Sequence, residues 1–179
     1  TSNRTLFASV AVRGIPKAGD DDAGSSGLAL EVDYRSADGS AVDPAQLRQG
    51  QDVLAEVTVK NTTPHRLDNL ALTQMVPAGY EIHNERMEGA DTAGKRSDAP
   101  RPRGFFFFPD GSPQATGARL EHLDIRDDRV LRYFGLKAGE SIVFKTRITA
   151  AYLGRFYLPS IQVEAMYDAT KNARVKGRW

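Results

Sequence analysis

The sequence predicts an all-β, antiparallel sandwich of immunoglobulin-like type. Three observations carry that prediction. Short segments with strict two-residue alternation recur along the chain, and turn residues separate them at regular intervals. No segment sustains the 3.6-residue apolar period of a long helix. The pattern leaves room for one short helix, in GARLEHL (Gly117–Leu123).

The clearest strand is DVLAEVTVKN, in which Val53, Ala55, Val57 and Val59 fall on one face and Glu56, Thr58 and Lys60 on the other. Before it, LALEVDYR (Leu28–Arg35) ends at the turn signal Asp38-Gly39. After it, NTTPHRL turns the chain into LDNLALTQMV (Leu67–Val76), which Pro77-Ala78-Gly79 stops; YEIHNERM then resumes extended. RVLRYFGL (Arg129–Leu136) follows the Asp127-Asp128 turn. SIVFKTRITAAY points Ile142, Phe144, Ile148 and Ala150 one way and Lys145, Arg147 and Thr149 the other. GRFYLPSIQVEAMYD reads as a turn, a short aromatic strand, a proline break and a second strand, with a basic tail behind it. In that second strand Ile161, Val163 and Ala165 share a face, Met166 follows the polar side and Tyr167 the apolar one.

Domain organisation follows from composition. LFASVAVR (Leu6–Arg13) is strand-like, and the Gly-, Ser-, Asp- and Pro-rich stretch behind it is linker-like. Residues 1–20 therefore read as the last strand of a preceding domain plus a linker, and residues 21–179 as one sandwich domain. A start on strand-like residues without Met reads as a piece of a larger protein. NERMEGADTAGKRSDAPRPRG, from Asn84 to Gly104, is too long and polar for a hairpin loop, and reads as a mobile or functional insertion. The run Phe105–Phe108 behind it must be covered on both faces or meet a partner.

Charge and chemistry narrow the function. With 24 basic and 23 acidic residues the net charge is +1, which gives no reason to expect nucleic acid or an acidic membrane as partner. No apolar run reaches the roughly 20 residues of a membrane span. There is no cysteine, hence no disulfide and no thiolate chemistry in this chain. His65, His83 and His122 lack metal-ligand spacing, and Asp20–Asp22 lack the pattern of a calcium loop. Neither a phosphate-binding glycine loop nor a nucleophile elbow is present, so the expectation is a binding or structural module with no cofactor rather than an enzyme. Asn3 and Asn61 open matches to the glycosylation sequon, a pattern common by chance. An adhesive or carbohydrate-binding module of a bacterial surface protein is one reading, with Tyr34, Tyr80 and Trp179 as stacking platforms.

VTVKNTTPHRLDNLALTQMVPAGYEI joined to LGRFYLPSIQVEAMYD supports a more specific reading. Together they resemble the final macroglobulin-like domain of the bacterial α2-macroglobulins. That family closes on a Gly-x-Phe-x-Leu-Pro segment, then Met-Tyr, then Gly-Arg, here Gly154, Phe156, Leu158, Pro159, Met166, Tyr167, Gly177 and Arg178. Two positions depart from the pattern: Ala169 stands where proline often follows Met-Tyr-Asp, and Ser160 replaces a frequent second proline. The resemblance implies a macroglobulin-like sandwich within a periplasmic protease inhibitor tethered to the inner membrane by an N-terminal lipid. It further implies a Cys–Gln thioester, in members that carry one, in a separate helical domain, with Met166 and Tyr167 taking part in a lock over it. The implied partners are neighbouring domains of the parent chain and target proteases, with a peptidoglycan-synthesising penicillin-binding protein as a further candidate.

Overall fold

The computed structural model describes residues 9–14, 17, 22–83 and 119–179. The strands are β1 (Gly24–Ser26), β2 (Leu28–Arg35), β3 (Asp52–Asn61), β4 (Leu67–Met75), β5 (Tyr80–Ile82), β6 (Arg119–Ile125), β7 (Arg129–Leu136), β8 (Ser141–Ala150), β9 (Ile161–Ala165) and β10 (Asp168–Val175). They form a six-stranded sheet, β1-β10-β9-β4-β7-β6, and a four-stranded sheet, β2-β3-β8-β5. Paired strands run antiparallel throughout. The fold is the predicted β-sandwich.

Alternation decides which side chains enter the core. Val57 and Val59 of β3 and Ile142 and Phe144 of β8 face Leu70, Leu72, Phe134, Leu136, Ile161 and Val163 of the opposite sheet. Phe134 and Phe144 meet edge-on with ring centroids 4.9 Å apart, an arrangement that adds to simple area burial. A smaller cluster of Val53, Val76 and Ile148 fills one end, with Tyr34, Leu47, Tyr80 and Ile82 packed against it.

Two bulges correct the simple alternation. In β4, Leu67 opposes Leu136 and Leu70 opposes Phe134, so one extra residue is accommodated, and Asn69 takes the left-handed conformation at φ 55°. In β6, Leu120 opposes Phe134 and His122 opposes Tyr133. Each bulge leaves two leucines three residues apart on one side of a strand. This is the physical reason for one correction: the described part of the expected Gly117–Leu123 helix is strand, because Arg119–Ile125 pairs with β7, while Gly117 and Ala118 lie outside the described residues. Leu120 and Leu123 share a face through the bulge, not through a helical turn.

Other expectations also change. Residues 9–13 have no regular structure, and Val10 and Val12 are exposed; the rest of Leu6–Arg13 lies outside the described residues. The Asn84–Gly104 insertion and Phe105–Phe108 lie outside them too. The expected aromatic strand after Gly154 is only a single bridge, between Leu158 and Arg178. The basic tail is largely β10, the partner of β9.

Among the described residues, polar side chains are buried at two places, each fully engaged. The Asn61 amide donates to the carbonyls of His65 (2.7 Å), Leu136 (3.3 Å) and Lys137 (3.0 Å), and accepts from the Thr63 amide (2.9 Å) and hydroxyl (2.8 Å). Its side chain is thus a structural tie beneath the β3–β4 turn, inaccessible to glycan attachment in the folded domain. Between the sheets, Arg132 donates to Gln74 Oε1 (3.0 Å), the Lys145 carbonyl (3.1 Å) and Thr146 Oγ1 (2.7 Å), while Thr146 donates to Gln74 Oε1 (2.7 Å). Burial pushes the Arg132 guanidinium down to about 10, so it stays charged at neutral pH, with the Phe144 ring 5.2 Å away.

Candidate functional site

The residues singled out from sequence fall at the two ends of β9. At one end, Gly154, Phe156, Leu158, Pro159, Gly177 and Arg178 come together as a closure of the sandwich. Gly79, in the turn before β5, gives up its amide oxygen to the backbone N–H groups of Ala151 (3.0 Å) and Tyr152 (3.1 Å). The Phe156 ring then lies on the same glycine: a Cβ at Gly79 would stand 2.2 Å from Phe156 Cε2, and one at Gly154 2.8 Å from its Cζ. Tyr157 lies on Gly177 in the same way, 2.3 Å from the place a Cβ would take. Leu158 and Arg178 exchange two backbone hydrogen bonds, at 2.8 and 2.9 Å.

The last residue adds to this closure. The Trp179 ring is 5.4 Å from that of Tyr157, and the Arg155 guanidinium sits 5.2 Å from its centroid. Arg178 reaches Asp43 at 3.4 Å. Burial pushes the nearby Tyr34 phenol up to about 12, an effect that Arg178 opposes and Tyr80 reinforces. Tyr34 and Tyr80 pack inward, and the Tyr80 hydroxyl is spent on the Pro44 carbonyl at 3.3 Å, so with Trp179 they form no common stacking platform. Gly79→Ala is expected to cost about 1–3 kcal/mol through overpacking on Phe156. Chemical denaturation checks it, and a change near zero would mean the Phe156 ring can move aside freely.

At the other end, β9 stops at Ala165, and Met166 and Tyr167 form the turn into β10. The apolar face of the strand is as the alternation demands, with Ile161, Val163 and Ala165 buried. The two residues beyond it leave the core: Met166 is 51% exposed and Tyr167 84%. Tyr167 does not continue the apolar face because the chain reverses before it. The turn is nonetheless held. The Met166 N–H donates to the carbonyl of Asn69, the left-handed bulge residue, at 3.0 Å. Asp168 accepts from the Thr170 amide (3.0 Å) and hydroxyl (2.6 Å), and these bonds hold its carboxyl below the usual range. A register shift between Asp168 and Asn172 widens the start of β10. The result is a protruding thioether and phenol on a fixed backbone.

The remaining candidates do not converge. His83 Nε2 lies 2.5 Å from Thr149 Oγ1 and 3.6 Å from Asp52, the His122 ring lies beside Tyr133, and His65 contributes a backbone carbonyl to Asn61. Among the described residues, no group of three His, Asp or Glu side chains could hold a metal ion. Asp128 pairs with its neighbour Arg129 at 2.6 Å. Sequence reasoning missed Gly79 and Tyr157 as parts of the closure. Gly79 was visible only as a strand stop, and Tyr157 as a residue between motif positions.

Fold and site together define a β-sandwich module closed at one end by aromatic rings laid on glycines and presenting an apolar hairpin tip at the other. Residues 27–169 match the family model described as the bacterial alpha-2-macroglobulin MG10 domain, and the chain belongs to that family. It is similar to the alpha-2-macroglobulin of Xylella fastidiosa (strain Temecula1), 29% identical over 169 residues that make up 90% of this chain. The chain spans only 9% of that relative's length. It shares its fold with the native conformation of Escherichia coli alpha-2-macroglobulin, at a TM-score of 0.71 and 20% identity, over 92% of this chain and 10% of that one. Salmonella alpha-2-macroglobulin reacted with methylamine gives a TM-score of 0.68 at the same identity and coverage.

Proposed function

We propose that this domain is the C-terminal docking module of a periplasmic, lipid-tethered protease inhibitor of the alpha-2-macroglobulin type, and that Met166 and Tyr167 lock over the thioester region of an adjacent domain. The observation that carries the reading is the exposed Met166–Tyr167 turn on a backbone pinned to Asn69. A protruding apolar pair costs solubility unless something covers it, and a pinned backbone presents it in one place. Against a reactive acyl group, such a cap excludes water and amines until proteolysis moves the domains apart. The Salmonella relative reacted with methylamine, a small amine nucleophile, fits a protein whose acyl chemistry has to be shielded.

The test is Met166→Ala. In the isolated chain the change should stay within about 0.5 kcal/mol, as for other surface substitutions. In a thioester-bearing parent it should speed inactivation by methylamine before any protease is added. A loss of several kcal/mol in the isolated chain would make Met166 a packing residue and end the lock reading.

A further inference from the structure

The hairpin tip carries a chemistry that the docking role does not use. The chain has no cysteine, so its only sulfur atoms are the thioethers of Met75, Met87 and Met166. Met87 lies outside the described residues. Met75 is partly covered where β4 runs beside β7. Met166 is half exposed, in a turn, with neighbours Tyr167 and Asp168 also exposed. Oxidation of a thioether follows its accessibility.

From this placement we infer that Met166 is a peroxide-modified site whose oxidation releases the docked tip; the inference rests on the docking reading above. A sulfur lone pair attacks one oxygen of hydrogen peroxide, the O–O bond breaks, and an S–O bond forms. Sulfur loses two electrons, and the other peroxide oxygen leaves as water after a proton shift. The product is a sulfoxide: the apolar end of the side chain becomes a strong hydrogen-bond acceptor. In water that oxygen is solvated, whereas under a covering domain it must find a donor or remain unsatisfied. The backbone has no reason to move, since the Met166 N–H is held by the Asn69 carbonyl and Ala165 by its place in the sheet. Oxidation therefore changes what the tip presents and leaves its position alone. The modification is reversible by methionine sulfoxide reductases, which makes it a switch.

The experiment treats the 179-residue chain and the whole parent protein with hydrogen peroxide and maps sulfoxides by peptide mass spectrometry. In the isolated chain, Met166 should oxidise several-fold faster than Met75, with the melting temperature almost unchanged. Equal rates at Met75 and Met166, or a large fall in melting temperature, overturn the inference. In the parent, hydrogen exchange over residues 161–175 should rise after peroxide, return after reductase treatment, and stay unchanged in Met166→Leu. A rise of the same size in Met166→Leu, or no rise once Met166 is shown to be oxidised, also overturns it. The docking reading has its own readout: docked Met166 should oxidise more slowly in the parent than in the isolated chain. Equal rates there reject the docking and the release with it, while the Met166-to-Met75 ratio still decides the modified site.

Discussion

Asn61→Ala is expected to destabilise the domain by about 3 kcal/mol or more, among the largest effects of any single polar substitution. The estimate follows from what is left behind. Three carbonyls, of His65, Leu136 and Lys137, lose a donor, and the Thr63 amide and hydroxyl lose an acceptor. A buried polar group left without a partner costs about 1–3 kcal/mol. The Lys137 carbonyl keeps the Glu140 N–H (3.1 Å) and the His65 carbonyl keeps the Thr63 hydroxyl (2.9 Å), and groups near the turn recover water, which keeps the total below the plain sum. For a domain of this size the melting temperature should fall by roughly 2–4 °C per kcal/mol. Asn61→Asp should be worse than Asn61→Ala, because it turns a donor pair into an anion facing three carbonyl oxygens. Thermal and urea unfolding of both variants decide the matter; a loss below about 1 kcal/mol in Asn61→Ala would show that the turn does not depend on this amide.

The second large effect concerns the charge between the sheets. Gln74→Leu should cost about 3–5 kcal/mol, because it strips Arg132 of the Oε1 acceptor while the guanidinium stays buried and charged. Arg132→Met removes more hydrogen bonds yet should cost less, since the charge itself is gone and Thr146 can still donate to Gln74. The double variant Gln74→Leu/Arg132→Met should be more stable than Gln74→Leu alone. Urea midpoints at constant m-value order the three. If Arg132→Met proves the most damaging, the arginine contributes net stability and the desolvation argument fails.

How much of this was legible in the sequence differs from strand to strand. Asp52–Asn61 was readable to the residue because it buries every second side chain, and Arg129–Leu136 because an Asp-Asp turn opens it and apolar residues fill it, although its last three residues are all buried. β10 was not, because DATKNARV sends only Ala173 fully into the core and its first residues are taken up by a register shift. At β6 the sequence left room for a short helix, because a bulge places Leu120 and Leu123 on one side at a spacing that also suits a helical turn. A bulge leaves no mark in composition; it shows only in the partner strand's register. At the candidate site, the sequence pattern collected the motif positions but not their division. Gly154, Phe156, Leu158, Pro159, Gly177 and Arg178 gather at one end, while Met166 and Tyr167 stand at the other, since β9 separates them. The glycine beneath Phe156 was hidden because it comes from a distant turn, and that contact exists only after folding.

The arrangement of β9 has a mechanical consequence. It runs antiparallel to β4 on one side and β10 on the other, with hydrogen bonds lying across the strands. A pull on the Met166–Tyr167 tip along the strand direction strains the rungs to β4 in shear and all at once, so they share the load. A push across the strands strains them one at a time from the free end, as a zipper opens. At its far end the hairpin is fastened by the two bonds between Leu158 and Arg178. A body attached to the tip that moves lengthwise thus drags the whole sandwich as a rigid handle, whereas one that swings sideways peels its own attachment loose.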